Sequence, residues 1–190
     1  MSKTMHINLA LAKLGINSII SPNQKTPEAM TLEGMYDHVL HVVLRSHAWS
    51  FAMCHVKGLA SLSKRSNAYG LSYALPIGCL RIVDLREGLE SAPVEFSLVG
   101  DAICTNITDP LLRYITSENL PFFPADFTSA FITRLAAEAA PLLSQDSSAQ
   151  NRLMQLYMIE LEVAQTNDES ADNTIMPDPL ENSDLLNARA

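Results

Sequence analysis

A chain of 190 residues that is 47% hydrophobic can bury a real core, and suits one domain or a domain with a tail. Only 18% of its residues are charged, against about a quarter in typical soluble domains, and the shortfall points to buried interface and so to an oligomer. Three widely separated cysteines without a CxxC pair exclude a disulfide scaffold and a zinc ribbon and fit a reducing cytosol, and the net charge of −8 argues against a surface that grips DNA.

The charge is uneven. Residues 1–120 carry ten Lys/Arg and ten Asp/Glu, whereas residues 121–190 carry three and eleven, so the whole imbalance lies in the last third. From Glu160 to Asp184 there are eight acids and no base. Such a run repels phosphates at close range. The first positions are polar and lead into no long apolar run, so neither a signal peptide nor a span of about 20 apolar residues is expected.

In chain order, residues 5–14 place Ile7, Leu11 and Leu14 on one helical face, with Gly15 as a C-terminal stop. Residues 16–25 read as extended chain broken by Pro22. Thr26 as N-cap, Pro27 at the first helical position and Glu28 in the first turn open a second helix over roughly 27–47. Its inward face is Leu32, Tyr36, Val39, Leu40, Val43 and His47. Residues 52–75 read as irregular chain with one strand at most. From 79 to 116 the period changes to two, with turns at Gly88, Gly100-Asp101 and Asp109-Pro110, and a four-stranded antiparallel meander is expected. In its first strand Leu80 and Ile82 point one way and Cys79, Val83 and Leu85 the other. Apolar residues on both faces mean that both are covered, or that a bulge near Ile82 shifts the phase. A third long helix carries Phe127, Phe131 and Leu135 at four-residue intervals and is ended or kinked by Pro141. A fourth buries Leu153, Leu156, Tyr157, Leu161 and Ala164, and residues 173–190 form a tail without a packing pattern of their own.

The chemistry-bearing constellations are thin. Cys79 has Arg81 and Arg86 nearby, but Asp84 offsets them and no histidine lies in the strand, so a buried cysteine acting as a small hydrophobe is the commoner reading. His38 and His41 lie three apart beside Asp37, yet no third ligand stands at recognisable spacing, and a helix surface or subunit contact suits them better. Glu160 and Glu162, two apart on a helix, point about 200° from each other and cannot serve one glycosidase site. Lys57, Lys64 and Arg65 are too few and too loosely spaced for nucleic acid. No phosphate loop, dinucleotide fingerprint, nucleophile elbow or HExxH motif occurs.

The ordered string of segments resembles a known family. "ALAKLG" and then Ile-x-Ser, a long helix ending in "VLRSHAWSFA", "YALPIGCLRI", "LVGDAICTNITDPLLRYI" and "PFFPADFTSAFITRLAAEAA" are similar to the tail tubular protein A family, the head-to-tail adaptors (connectors) of short-tailed bacteriophages, over roughly residues 7–165. The chain departs from the family where Gly78 and Phe123 stand in place of frequent aspartates. The second departure leaves the third helix without its usual capping acceptor, worth about 1 kcal/mol. The resemblance implies a ring, normally of twelve copies, between the portal protein and the tail nozzle (tail tubular protein B), with genome DNA passing through the lumen.

The expectation is therefore an α+β virion protein of the viral tail, assembled in the host cytoplasm. Residues 1–172 would form one adaptor domain, with a helical body (1–50 and 121–172) and a β extension (about 76–117), followed by an extended acidic tail (173–190). Three or four helices would carry the inserted antiparallel meander, with Tyr36, Trp49, Phe51, Phe127, Phe131 and Leu135 in the core. No catalytic residue, cofactor or metal is expected. Partners would be further copies of the chain, the portal, the nozzle and tail fibres, with no membrane and no sequence-specific DNA contact. The alanines of the third helix (Ala130, Ala136, Ala137, Ala139, Ala140) and the two-faced strand are expected to supply subunit contacts. Ile175, Met176, Leu180, Leu185 and Leu186 would anchor the tail, on the portal first and on a neighbouring subunit second. A tail-associated glycan hydrolase, with two carboxylates about 5–10 Å apart in a groove, is the alternative; a helical DNA-binding regulator would need a basic stripe that is missing.

Overall fold

In the computed structural model, which describes residues 2–17, 26–64, 66, 68–120, 122–144, 146 and 148–172, the helices begin and end where local chemistry dictates. Ser2 precedes α1 (Lys3–Lys13), and its Oγ accepts from the Met5 amide at 3.3 Å. At the other end Gly15 adopts φ +72°, and the Gly15 and Ile16 amides return to Ala12 O and Leu11 O at 3.0 and 2.9 Å. That pair of bonds is a Schellman closure, which a glycine makes without strain. Helix α2 (Pro27–Ser46) has the expected Thr26 cap, whose Oγ1 accepts from the Ala29 amide at 3.2 Å. The extended stretch expected around Pro22 falls mainly on residues 18–25, outside the described ones.

Helix α3 (Ala125–Leu143) is the hub, and α1, α2 and α4 (Ala149–Asp172) all pack on it. Eleven of its residues are buried, around nearly the full circumference. Ala130, Ala136, Ala137, Ala139 and Ala140 are at most 1% exposed. They are therefore used up inside the subunit, where small side chains let the neighbouring helices approach, rather than left over for subunit contacts. Pro141 lacks the amide that would bond to Ala137 O, yet the helix runs on to Leu143 and closes with Ser144 N donating to Ala140 O at 2.9 Å. No side chain caps the start of α3, and Asp126 in its first turn faces the positive end of the helix dipole. In α4, Tyr157, Leu161 and Ala164 are buried and Leu153 is half-buried, but Leu156 is 40% exposed, beyond the edge of the contact stripe.

The chain is α+β: among the described residues, four helices pack together and two small antiparallel three-stranded sheets are inserted between α2 and α3. The region expected to be mostly irregular holds a 3₁₀ turn (Ser50–Ala52) and two strands, β1 (Met53–Val56) and β2 (Leu71–Ala74). Four more follow, β3 (Cys79–Arg86), β4 (Ser97–Val99), β5 (Ala102–Thr105) and β6 (Leu111–Thr116). They do not form a meander. The sheet orders are β1-β6-β3 and β2-β5-β4, so only β4 and β5 pair as chain neighbours. The two earlier strands supply the missing partners: β1 pairs with β6, and β2 with β5.

The first sheet is a layer between the helices and the second sheet. Ile115 of β6 belongs to the helical core, whereas Leu112 and Tyr114 belong to a smaller core with Leu85 and Ile103. Strand β3 serves both sides through two register slips against β6, between Cys79 and Arg81 and between Ile82 and Asp84. Each slip is a bulge that sets two residues against one. Leu80 and Val83, the extra residues, pack on the helical core, and Ile82 and Leu85 on the smaller one. The simple alternation that grouped Leu80 with Ile82, and Val83 with Leu85, is thus corrected. Both faces are partly covered from within the subunit, with Leu85 fully buried and the rest of the strand half-buried.

Candidate functional site

Four of the expected core residues, Trp49, Phe127, Phe131 and Leu135, are at most 1% exposed; Tyr36 is also buried, and Phe51 is half-buried against them. Phe127 is the centre of the cluster, with Trp49, Phe51 and Phe123 rings at 5.0, 4.8 and 5.3 Å in edge-to-face geometry. Trp49 Nε1 donates to Val43 O at 3.0 Å. His6 of α1, buried against α2, lies 2.6 Å from the Tyr36 hydroxyl through Nδ1, while its Nε2 has no hydrogen-bond partner among the described residues. Burial, helped by the N-terminal charge, pulls the His6 pKa down, and burial together with the Asp37 charge pushes Tyr36 up to about 12. Both rings are therefore neutral at physiological pH.

The other singled-out residues do not converge. Burial pushes the Cys79 thiol up, against the opposing pull of the Arg45 charge and an Arg81 backbone hydrogen bond, so the thiolate that nucleophilic chemistry needs is disfavoured. His38 is exposed and His41 half-buried, and among the described residues no three His, Cys, Asp or Glu side chains are placed to hold a metal ion. Glu160 is held by Lys13 at 3.2 Å and by the Thr133 hydroxyl, whereas Glu162 is exposed. Lys57 and Lys64 are exposed on the loop between β1 and β2, and Arg65 lies outside the described residues. So do all five expected tail anchors, Ile175, Met176, Leu180, Leu185 and Leu186. No helix among the described residues is long and apolar enough to cross a membrane.

Among the described residues, several surface features do bring side chains together, and three bear on function. The first is a cleft of about 290 Å³ walled by Trp49, Phe51, Phe122 and Phe127, with Asp126 and Asp168 on its rim. Asp168 is committed to other work. It accepts from the Ser50 amide and hydroxyl, at 3.0 and 2.6 Å, and lies 3.5 Å from His47 Nε2. The aspartate stands between serine and histidine, so the imidazole is not shown in contact with the hydroxyl proton that it would have to remove. The arrangement ties the end of α4 to the turn after α2. Asp126 accepts from Asn167 Nδ2 at 2.6 Å.

The second feature is a wedge of about 360 Å³ between β3 and β4, with Arg45 and Arg81 at its mouth. The third is exposed apolar surface on the helices. Met5 and Leu9 share one face of α1, and Leu156, Ile159 and Val163 share one face of α4, all between 38% and 61% exposed. On α4 they follow the i, i+3, i+7 spacing of a helical stripe. Sequence reasoning listed Leu156 among buried residues and passed over Met5, Leu9, Ile159 and Val163; their spacing was the available signal. Nothing local in the sequence places Arg45 beside β3, because its guanidinium donates to Leu80 O, 35 residues away.

No protein-family model matches this chain, and no curated protein matches it.

Proposed function

We propose that the chain is a structural virion protein of a short-tailed bacteriophage, a head-to-tail adaptor that assembles as a ring, of about twelve copies in the resembled family, between portal and tail nozzle. The observation that carries this reading is the order of the family-like segments and where they fall. "ALAKLG" closes α1, "VLRSHAWSFA" runs from the last turns of α2 into the 3₁₀ turn, and "YALPIGCLRI" enters β3. "LVGDAICTNITDPLLRYI" spans β4 to β6, and "PADFTSAFITRLAAEAA" is most of α3. The segments thus make the framework of both halves rather than its decoration. The apolar stripes on α1 and α4 support subunit contacts on the helical half, where the alanines of α3 no longer can. A channel for DNA is best left without affinity for phosphate, and the acidity of the last third suits that.

Electron microscopy of the purified chain, alone and mixed with the portal ring of the same virus, tests the reading. Closed rings, with subunit contacts burying well over ~1,000 Å² in total, are expected. An assembled particle in which the subunit touches no second copy would end the proposal.

The second reading, a tail-associated glycan hydrolase, gains from one observation: Asp126 and Asp168 share a cleft. It loses from another, since the Asp168 carboxylate already serves the Ser50 amide and hydroxyl. Asp126→Asn and Asp168→Asn separate the readings: loss of polysaccharide cleavage in both would favour the hydrolase, and unaltered ring assembly without any cleavage by the wild type would favour the adaptor.

A further inference from the structure

The wedge between β3 and β4 arises where two strands part. The Val94 amide donates to Leu85 O at 2.8 Å and Pro93 bridges Arg86, so the chain leaving β3 at first runs antiparallel beside it. It then swings away to pair with β5, leaving the first half of β3 and all of β4 as sheet edges without a partner strand among the described residues. Leu80, Ile82, Phe96 and Leu98 line the gap, and Leu98 is 53% exposed. Arg45 donates to Leu80 O and Arg81 donates to Arg45 O at 3.3 Å. Among the described residues neither arginine has a carboxylate partner, although Asp84, on the same strand, serves Arg86 and Arg113 at 2.8 and 3.2 Å. An apolar floor between two strand edges, with two guanidinium groups at the rim that among the described residues bond to backbone carbonyls and to no carboxylate, is a receptor for an extended segment that carries both apolar residues and acids.

The chain carries such a segment. Residues 173–190 hold Ile175, Met176, Leu180, Leu185 and Leu186 together with Asp178, Glu181 and Asp184, and a single base, Arg189. The segment also starts in the right place. The last turns of α4 are tied through Asp168 to His47 and Ser50, and His47 is two residues from Arg45 at the mouth of the wedge. Eighteen extended residues reach about 60 Å, far more than this placement asks for. We propose that residues 173–190 occupy the wedge of their own subunit, their apolar side chains on Leu80, Ile82, Phe96 and Leu98 and their carboxylates on Arg45 and Arg81. The proposal concerns one isolated subunit and stands whatever that subunit assembles with.

Cys79, which lines the wedge, serves as the probe, and Cys54, half-buried in β1, as the internal control. Alkylation of each thiol in the full chain is followed by peptide mass mapping at micromolar concentration. The variant D178N/E181Q/D184N removes the three acidic charges of this segment and alters no residue named in either core. It should label at Cys79 about threefold faster or more than wild type, the gain expected from two screened ion pairs, with Cys54 unchanged. Arg81→Gln should have the same effect, and wild type in 0.5 M salt should approach the variants. Equal Cys79 rates in all of these would overturn the proposal. So would protection that fades on tenfold dilution, because the wedge would then be filled by the tail of a second copy.

Discussion

The helical half and the β half of this subunit are stabilised by different means. In the helical half, Trp49, Phe127, Phe131 and Tyr36 form a continuous cluster fed by all four helices and by Ile115 of β6. In the β half, among the described residues, only Leu85, Ile103 and Leu112 are fully buried in the core between the sheets, with a ring of half-buried residues around them. Polar links do much of the remaining work there. Tyr73 donates to Ile107 O at 3.1 Å and accepts from the Asp109 amide, Asp109 Oδ1 accepts from the Gly58 amide at 2.9 Å, and Asn106 Oδ1 accepts from the Gly70 amide at 2.9 Å. Such bonds contribute roughly 1 kcal/mol each, against roughly 1.5–3 kcal/mol for each large apolar side chain buried. The difference implies that the β half opens locally at lower free energy than the helical half.

The largest expected effect breaks the helical side. Trp49→Ala removes the ring that joins α2 to Phe127 and should cost ~3–5 kcal/mol, with a matching fall in soluble yield. Coincident thermal melts would make Trp49 a partner-facing residue instead. Leu112→Ala, in the β half, should cost ~2–4 kcal/mol in that half. Hydrogen exchange should show β2, β4 and β5 losing protection while α3 keeps it; equal loss in α3 would make the two halves one cooperative unit. Asp84→Ala leaves Arg86 and Arg113 without their shared carboxylate. Because all three side chains keep some solvent contact, ~1–2 kcal/mol is expected in urea unfolding, below the fully buried case, and an unchanged midpoint would show that water replaces the carboxylate without loss.

The mildest test is a pH profile. His6 has its folded pKa lowered, chiefly by burial, so the unfolded chain takes up the proton first as pH falls. The stability that neutral His6 contributes is present above about pH 6.5 and is lost as pH falls from there toward the lowered value. Wild type should therefore lose more melting temperature than His6→Asn between pH 7.5 and pH 5. Asp146, whose pKa is lowered chiefly by hydrogen bonds from Ser148, acts at more acidic pH and leaves this window clear. Parallel profiles for wild type and variant would place the pH sensitivity elsewhere.

Much of the helical half is legible in the sequence because its determinants are local. Thr26, Pro27 and Gly15 mark helix ends through bonds that span three to five residues, and the apolar spacing of α2 reports its buried face directly. The β half is less legible because its pairing is long-range. β1 meets β6 across about sixty residues, with Met53 opposite Ile115, and no local signal distinguishes that from a meander. The phase of β3 is half legible: the bulge expected near Ile82 is present, but the one after Cys79 carries no sequence signal. Two bulges, each inserting a residue, cancel over its length, so the ends look regular while the middle changes face. The alanines of α3 read equally well as an outer contact or an inner one; only the presence of α4 against them decides it. The wedge was not legible at all, since Arg45 and Arg81 meet only once α2 and β3 are packed. In the other direction, the φ of +73° at Gly78 accounts for a glycine at this turn. The Cys79 amide returns to Pro76 O at 3.2 Å across it, and a Cβ there would come within 2.6 Å of the Glu118 side chain. An aspartate at this turn tolerates the backbone angle better than most residues, but Glu118 would have to move aside.

Asp168 has a mechanical meaning beyond its hydrogen bonds. It sits about one turn before the end of α4, and its carboxylate grips the amide and hydroxyl of Ser50, where the helical half hands over to β1. Tension applied beyond residue 172 would load this grip before it could peel the rest of α4 from α3. The load would pass into the junction of the two halves rather than along the hub. The neighbouring Asn167, bonded to Asp126 on the first turn of α3, would take up the load next, so the end of α4 is held at two successive residues.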